Sequence, residues 1–146
     1  MRVPVVTLGS KVKQPAAFHT EGCDESLLSH IYNPGRLEVI DRCIAVTGTV
    51  AKAKKENDGD YSIQLLLDKE YESLLNQNNY DYQNGALVVR IICQDSRKEE
   101  CRGLNKPVTI PARGTRVRVI GAYALNHSTI NAWAEIYPAT SVTPVQ

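Results

Sequence analysis

Several sets of side chains in this sequence have types suited to ligand chemistry. Arg116 and Arg118 alternate along one apolar run, and Trp133 and Tyr137 alternate along the next. Guanidinium groups hold phosphates and aromatic rings stack on planar groups, so these four would suit a ligand that is both charged and flat. Lys52 and Lys54 precede the turn Asn57-Asp58-Gly59-Asp60. Asp58 and Asp60 would cancel much of the lysine field there, giving a solvated hairpin of mixed charge. Asp58, Asp60, Asp68, Glu70 and Glu135 invite a metal or nuclease reading, but cleaving a phosphodiester wants a cation fixed near the developing negative charge. None is fixed near them. His19, His30 and His127 are scattered without His-x-x-x-His spacing. No nucleophile stands with its base, and no glycine loop or nucleotide fingerprint is present. The expectation is a protein that is not an enzyme, with no metal and no cofactor.

The cysteines Cys23, Cys43, Cys93 and Cys101 match no zinc-knuckle or ribbon spacing. Cys93 and Cys101 flank one charged loop, and Cys23 and Cys43 could tie the N-terminal stretch to the first strand. We expect these two bridges, because cysteines beside a polar loop are poorly placed for packing alone. The alternative is four reduced thiols. Bridges would put the protein outside the cell, and free thiols would put it in the cytoplasm. Met1 to Gly9 lack the ~7–15-residue apolar core of a secretory signal.

The elements that must position these residues are mostly strands. A chain of 146 residues, 23% charged and 42% hydrophobic, fits one globular domain and excludes disorder or a fibrous repeat. The net charge of +1 excludes a coat of basic residues, so any polyanion must meet a local patch. No apolar run approaches the ~18 residues that cross a bilayer. Asp24 is placed to cap a short helix carrying Leu27, Leu28 and Ile31, and Asn33-Pro34-Gly35 reads as a turn. Residues 1–36 therefore form an arm with one short helix, and residues 37–146 form the main body. Ile44, Val46 and Val50 face one way along the first strand, and Gly48 among them marks a bulge or tight bend. Tyr61, Ile63, Leu65 and Leu67 alternate along a second. Asp68 then caps a short helix with Tyr71, Leu74 and Leu75, and a polar loop follows from Gln77 to Gly85. Three more strands are predicted over 87–93, 116–125 and 130–142. The loop Asn126-His-Ser-Thr129 would pair Leu125 with Ile130, setting Arg118 opposite Tyr137, Ile120 opposite Glu135 and Ala122 opposite Trp133. On that register Arg116, Arg118, Trp133 and Tyr137 share one outer face, unless the N-terminal helix covers it.

Ile44-Ala-Val-Thr-Gly-Thr-Val50, Leu65-Leu-Leu-Asp68, Gly114-Thr-Arg-Val-Arg-Val-Ile-Gly121 and Trp133-Ala-Glu-Ile-Tyr-Pro138 together resemble the oligonucleotide/oligosaccharide-binding fold, the OB-fold. The resemblance covers residues 37–143 and implies a five-stranded Greek-key barrel. Within it the chain is similar to small, uncharacterised microbial OB-fold proteins that carry Asp-Gly-Asp-x-His and Trp-x-Glu-Ile-His-Pro. Asp58, Gly59, Asp60, Trp133, Glu135, Ile136 and Pro138 match, while Ser62 and Tyr137 stand at the two histidine positions. Chemistry carried by those histidines would be lost here. A fainter likeness to the thermonuclease barrel fails at Gln64, where that family needs arginine.

The fold alone licenses no activity. With Arg116, Arg118, Trp133 and Tyr137 on one face and Lys52 and Lys54 at the first hairpin, the expectation is a non-catalytic binding module with single-stranded nucleic acid as its ligand, held by these six residues. The alternative is a structural or protein-interaction module that self-assembles through its terminal arms, residues 1–22 and 143–146.

Overall fold

A computed structural model describes residues 16–31, 34–57, 59–94, 101, 109–127 and 131–145. Residues 1–15, the turn residue Asn33, Asp58, most of the charged loop after Gln94, the predicted strand start Ile130 and Gln146 lie outside the described residues. The chain is mainly β, with strands β1 (Leu37–Lys55), β2 (Tyr61–Leu67), β3 (Leu87–Ile91), β4 (Arg116–Asn126) and β5 (Trp133–Pro144). They pair in the order β1-β2-β3-β5-β4, and β4 returns to β1 to close the ring. Only β3 and β5 run parallel; the other pairings are antiparallel.

Each strand of the ring has two neighbours, and a long strand can meet them with different halves. β1 does this: its first half lies on β4 and its second half on β2. Gly48 and Thr49 sit at the handover and pair with both strands. The backbones come so close there that a Cβ on Gly48 would lie 2.6 Å from the Leu66 carbonyl oxygen. Gly121 makes the matching approach between β4 and β5, where a Cβ would lie 2.5 Å from the Pro138 carbonyl oxygen and 2.8 Å from the Ala139 Cα. Where the sequence suggested a bulge or tight bend, Gly48 marks a close approach of two backbones. The bulge falls after it, between Val50 and Lys52.

The inward sets read from alternation hold. Ile44, Val46 and Val50, Ile63 and Leu65, and Val117, Val119 and Tyr123 fill the ring with Leu87, Val89 and Ile136. Outside the ring, Asp24 caps a 3-10 helix (Glu25–His30) by accepting from the Ser26 amide at 3.1 Å. This helix lays Leu27 and Ile31 on Ile92, Cys93, Cys101 and Tyr137, forming a second small apolar cluster. Cys23 is bonded to Cys43 and Cys93 to Cys101, with Cα separations of 5.7 and 5.3 Å. Both expected pairings are present. No helix among the described residues is long and apolar enough to cross a membrane.

Three local expectations need correction. The stretch after Asn76 is not a loop: Gln77–Tyr82 forms an α-helix, α1, because Asn76 and Asn79 cap each other's backbone amides reciprocally at 3.1 Å. Asp68 precedes a 3-10 helix (Lys69–Leu74), but its side chain does not cap it. The Asp68 carboxylate accepts from Thr47 and Arg116 instead. Finally, β5 starts at Trp133 and pairs Leu125 with Ala134, not Ile130.

Two outcomes follow. Gly121→Ala forces backbone against backbone and should cost about 1–3 kcal/mol in denaturant unfolding, the usual penalty for overpacking; an unchanged midpoint would contradict the close approach. Reduction should remove about 2–4 kcal/mol per bridge. Because the Cys23–Cys43 bridge holds the arm on β1, amide exchange at Leu27 should quicken before exchange at Val46 does.

Candidate binding groove on the outer face

Register assigns the outward side chains to rows across the sheet. Lys52 pairs with Gln64, Gln64 with Val88, and Val88 with Glu135. One step along, Lys54 pairs with Ser62 and Ser62 with Arg90. Lys52 and Lys54 join these rows only because of the bulge after Val50. Strict alternation from Ile44 through Val50 would point both lysines into the core, and the extra residue reverses the parity of the strand. The result is an open cavity of about 420 Å³, within the ~300–1,000 Å³ of ligand clefts. Lys52, Lys54, Glu56, Ser62, Gln64 and Arg90 line its sheet side. Tyr82, Gln83, Asn84 and Trp133 complete it.

Helix α1 is held over this edge by one buried amide. The Asn79 side chain donates to the Ala86 and Ala134 carbonyls at 2.8 and 3.0 Å and accepts from the Ala134 amide at 2.9 Å. Asn76 and Asn78 both donate to the Ala132 carbonyl. The helix therefore follows β5, and Tyr82 comes to lie 6.4 Å from Trp133 between ring centroids, tilted by 39°. Tyr82 is 52% exposed.

Beneath the groove lies Glu135, which is fully buried. Its carboxylate accepts from the Trp133 indole N–H at 2.8 Å and the Asn126 amide at 3.3 Å, with the Arg90 guanidinium 3.7 Å away. Burial raises its pKa above the ordinary 4.5, while Arg90, Trp133, Asn126 and Arg36 pull the other way.

Tyr137 is not a stacking platform. It is fully buried, and the guanidiniums of Arg36 and Arg90 lie 5.2 and 5.3 Å from its ring centroid. Its hydroxyl accepts from Arg36 and donates to Asp60 at 3.2 Å. The arm helix covers this end of the face, as the competing expectation held, but leaves Trp133 at the edge of the groove. Asp60 is likewise not solvated: it is 3% exposed and also accepts from the Cys93 amide. Its carboxylate faces Tyr137 and Cys93, not solvent beside the lysines as the sequence suggested.

Arg116 and Arg118 are elsewhere. Arg118 pairs with Thr143 and Trp133 with Asn126, eight residues further along β4, or roughly 26 Å. The expected pairings of Arg118 with Tyr137, Ile120 with Glu135 and Ala122 with Trp133 are all displaced. Arg116 is bonded to Asp68 at 2.6 Å, and that bond with Thr47 holds the Asp68 carboxyl below its usual range. Of the six expected contact residues, the groove gathers Lys52, Lys54 and Trp133. It adds Arg90, Tyr82 and three amides that the sequence reading left in a strand or a surface loop. The Asn76-x-x-Asn79 capping spacing was the signal that would have placed Tyr82. Among the described residues no cluster of three or more His, Cys, Asp or Glu is arranged to hold a metal ion.

No protein-family model and no curated protein matches the chain.

Trp133 is the sole tryptophan, so its fluorescence reports the Glu135 carboxylate directly. The folded state keeps a proton on Glu135 at pH values where the unfolded chain has lost it. Stability therefore falls as pH rises from 4.5 through the raised folded value. The emission should titrate with a midpoint above 4.5, and Glu135→Gln should abolish that transition.

Proposed function

We propose that the chain is a non-catalytic OB-fold binding module that holds single-stranded nucleic acid in this groove. The observation that carries the reading is the juxtaposition of the Tyr82–Trp133 ring pair with Lys52 and Lys54 across β2 and β3. The closed strand order fits the OB-fold barrel, whose face over its second and third strands takes oligonucleotides. Bases stack on aromatic rings while cations follow the backbone. Arg90 also lines the groove, 3.7 Å from the buried Glu135 carboxyl. Lys52 and Lys54 supply the attraction, with Glu56 opposing them while it accepts from Ser62 at 2.6 Å.

Stacking must then supply more of the affinity than charge does. The disulfides are compatible with an extracellular location, since such bridges persist in oxidising compartments.

Fluorescence anisotropy with short labelled DNA and RNA tests the reading. Two phosphate contacts predict a shallow salt slope of about −1.4. Tyr82→Ala or Trp133→Ala should each cost about 1–3 kcal/mol of binding, and Lys52→Ala or Lys54→Ala should flatten the slope by about 0.7. Arg116→Ala and Arg118→Ala should leave binding unchanged. No binding at ~100 µM, the weak end of non-specific affinity, overturns the reading.

A further inference from the structure

Two carboxyl groups are buried among the described residues, Asp60 and Glu135. Asp60 faces the arm side, through the Tyr137 hydroxyl and the Cys93 amide. Glu135 sits behind the groove, and its partners Trp133 and Arg90 are themselves lining residues. Burial removes the water that would screen its charge, so that charge is felt in the groove.

Charged and titratable groups surround Glu135 on several elements. β3 brings Arg90 at 3.7 Å, the 3-10 turn Pro34–Arg36 brings Arg36, and β4 brings the neutral Asn126. On β5 itself, Tyr137 links Arg36 to Asp60. α1 carries Asp81, bonded to Gln77 at 3.0 Å. The arm helix carries His30 and Glu25, the latter bonded to Arg42. His127 follows Asn126 and is bonded to Glu38. Lys52, Lys54 and Glu56 stand across the groove, and among the described residues no histidine lines it.

Lys52 and Glu135 stand in one row, three strand spacings or about 14 Å apart across the sheet. An anion drawn to Lys52 is therefore within electrostatic reach of the Glu135 carboxyl. One unit charge at that distance, at an effective dielectric of ~20, changes the proton affinity of a carboxyl roughly sevenfold. Burial already favours the neutral form. A neutral carboxyl still offers an oxygen to the Trp133 indole N–H, so the ring keeps its place.

We propose that the groove is proton-linked: an anionic strand bound beside Lys52 and Lys54 drives Glu135 to its neutral form, so the strand is held more tightly as pH falls. The inference rests on the nucleic-acid reading above. Anisotropy with labelled ten-residue oligo(dT) on the full chain tests it between about pH 5 and about pH 8.5, where thymine neither gains nor loses a proton. Affinity should rise roughly sevenfold from the alkaline to the acid end. Glu135→Gln has the shape of the neutral form, and should bind at every pH as the wild type binds in acid. Because linkage is reciprocal, saturating oligo(dT) should move the Trp133 emission midpoint upward by the same factor.

An affinity that is flat or falls in acid, or a pH dependence retained by Glu135→Gln, overturns the proton linkage alone. If Glu135→Gln does not fold, the wild-type emission decides, and a midpoint unmoved by oligo(dT) overturns the linkage. Failure to bind at any pH overturns the nucleic-acid reading, and this one with it.

Discussion

The outer face depends on one buried carboxylate. β5 lies between β3 and β4, and its alternation points Glu135 outward at a place where no water reaches it. A charge out of water persists only with close partners. Glu135 takes Trp133, Asn126 and Arg90 for that purpose, and each is thereby fixed in orientation. Arg90 then lies against the Tyr137 ring, and Arg36, also against it, reaches the Tyr137 hydroxyl and so Asp60. Two guanidiniums, two carboxyl groups and one tyrosine thus pack together. Removing one partner would leave the others charged and buried, so the cluster stands or falls together.

That cluster divides the face into a covered half and an open half. The arm helix lies over Tyr137 and Ile92, held by the Cys23–Cys43 bridge and the contacts of Leu27 and Ile31. At the other end α1 stands beside Trp133, not over it, because Asn79 bonds the helix to the edge of β5 at Ala134. The groove is what remains between them. Arg90 and Trp133 in its lining are held by Glu135, and its rim is tied to β5 through Asn79. A recognition surface gains from such fixity, since groups already oriented lose little freedom when a ligand arrives.

Charge plays a smaller part than the count of basic residues suggests. Arg116 is occupied by Asp68, Arg90 by Glu135, and Arg42 by Glu25. With these three arginines beside carboxylates, the lysines of β1 are left to set the field of the groove.

The periodic signals were local and could be read directly. Alternation put Ile44, Val46, Ile63, Leu65, Val117 and Val119 inside, and the spacing of Asp24, Leu27 and Ile31 marked the arm helix. The cysteine pairs followed from loop context. Register was not local. Leu125 meets Ala134 rather than Ile130, and irregularities between Ile120 and Tyr123 add to that offset, so the short-loop hairpin placed Trp133 and Tyr137 beside the wrong arginines. One clue was present: Lys52 and Lys54 share the parity of buried Val50, so a regular strand would bury two lysines, and a bulge had to intervene. Which side chains alternate is set by the pleat of one strand and is written in the sequence. Which strands become neighbours, at what offset, is decided by hydrogen bonds between distant segments, and one inserted residue turns every later side chain to the other face. Asp60 and Tyr137 show the consequence: both look exposed in the sequence, and only the packed arm and the paired guanidiniums bury them.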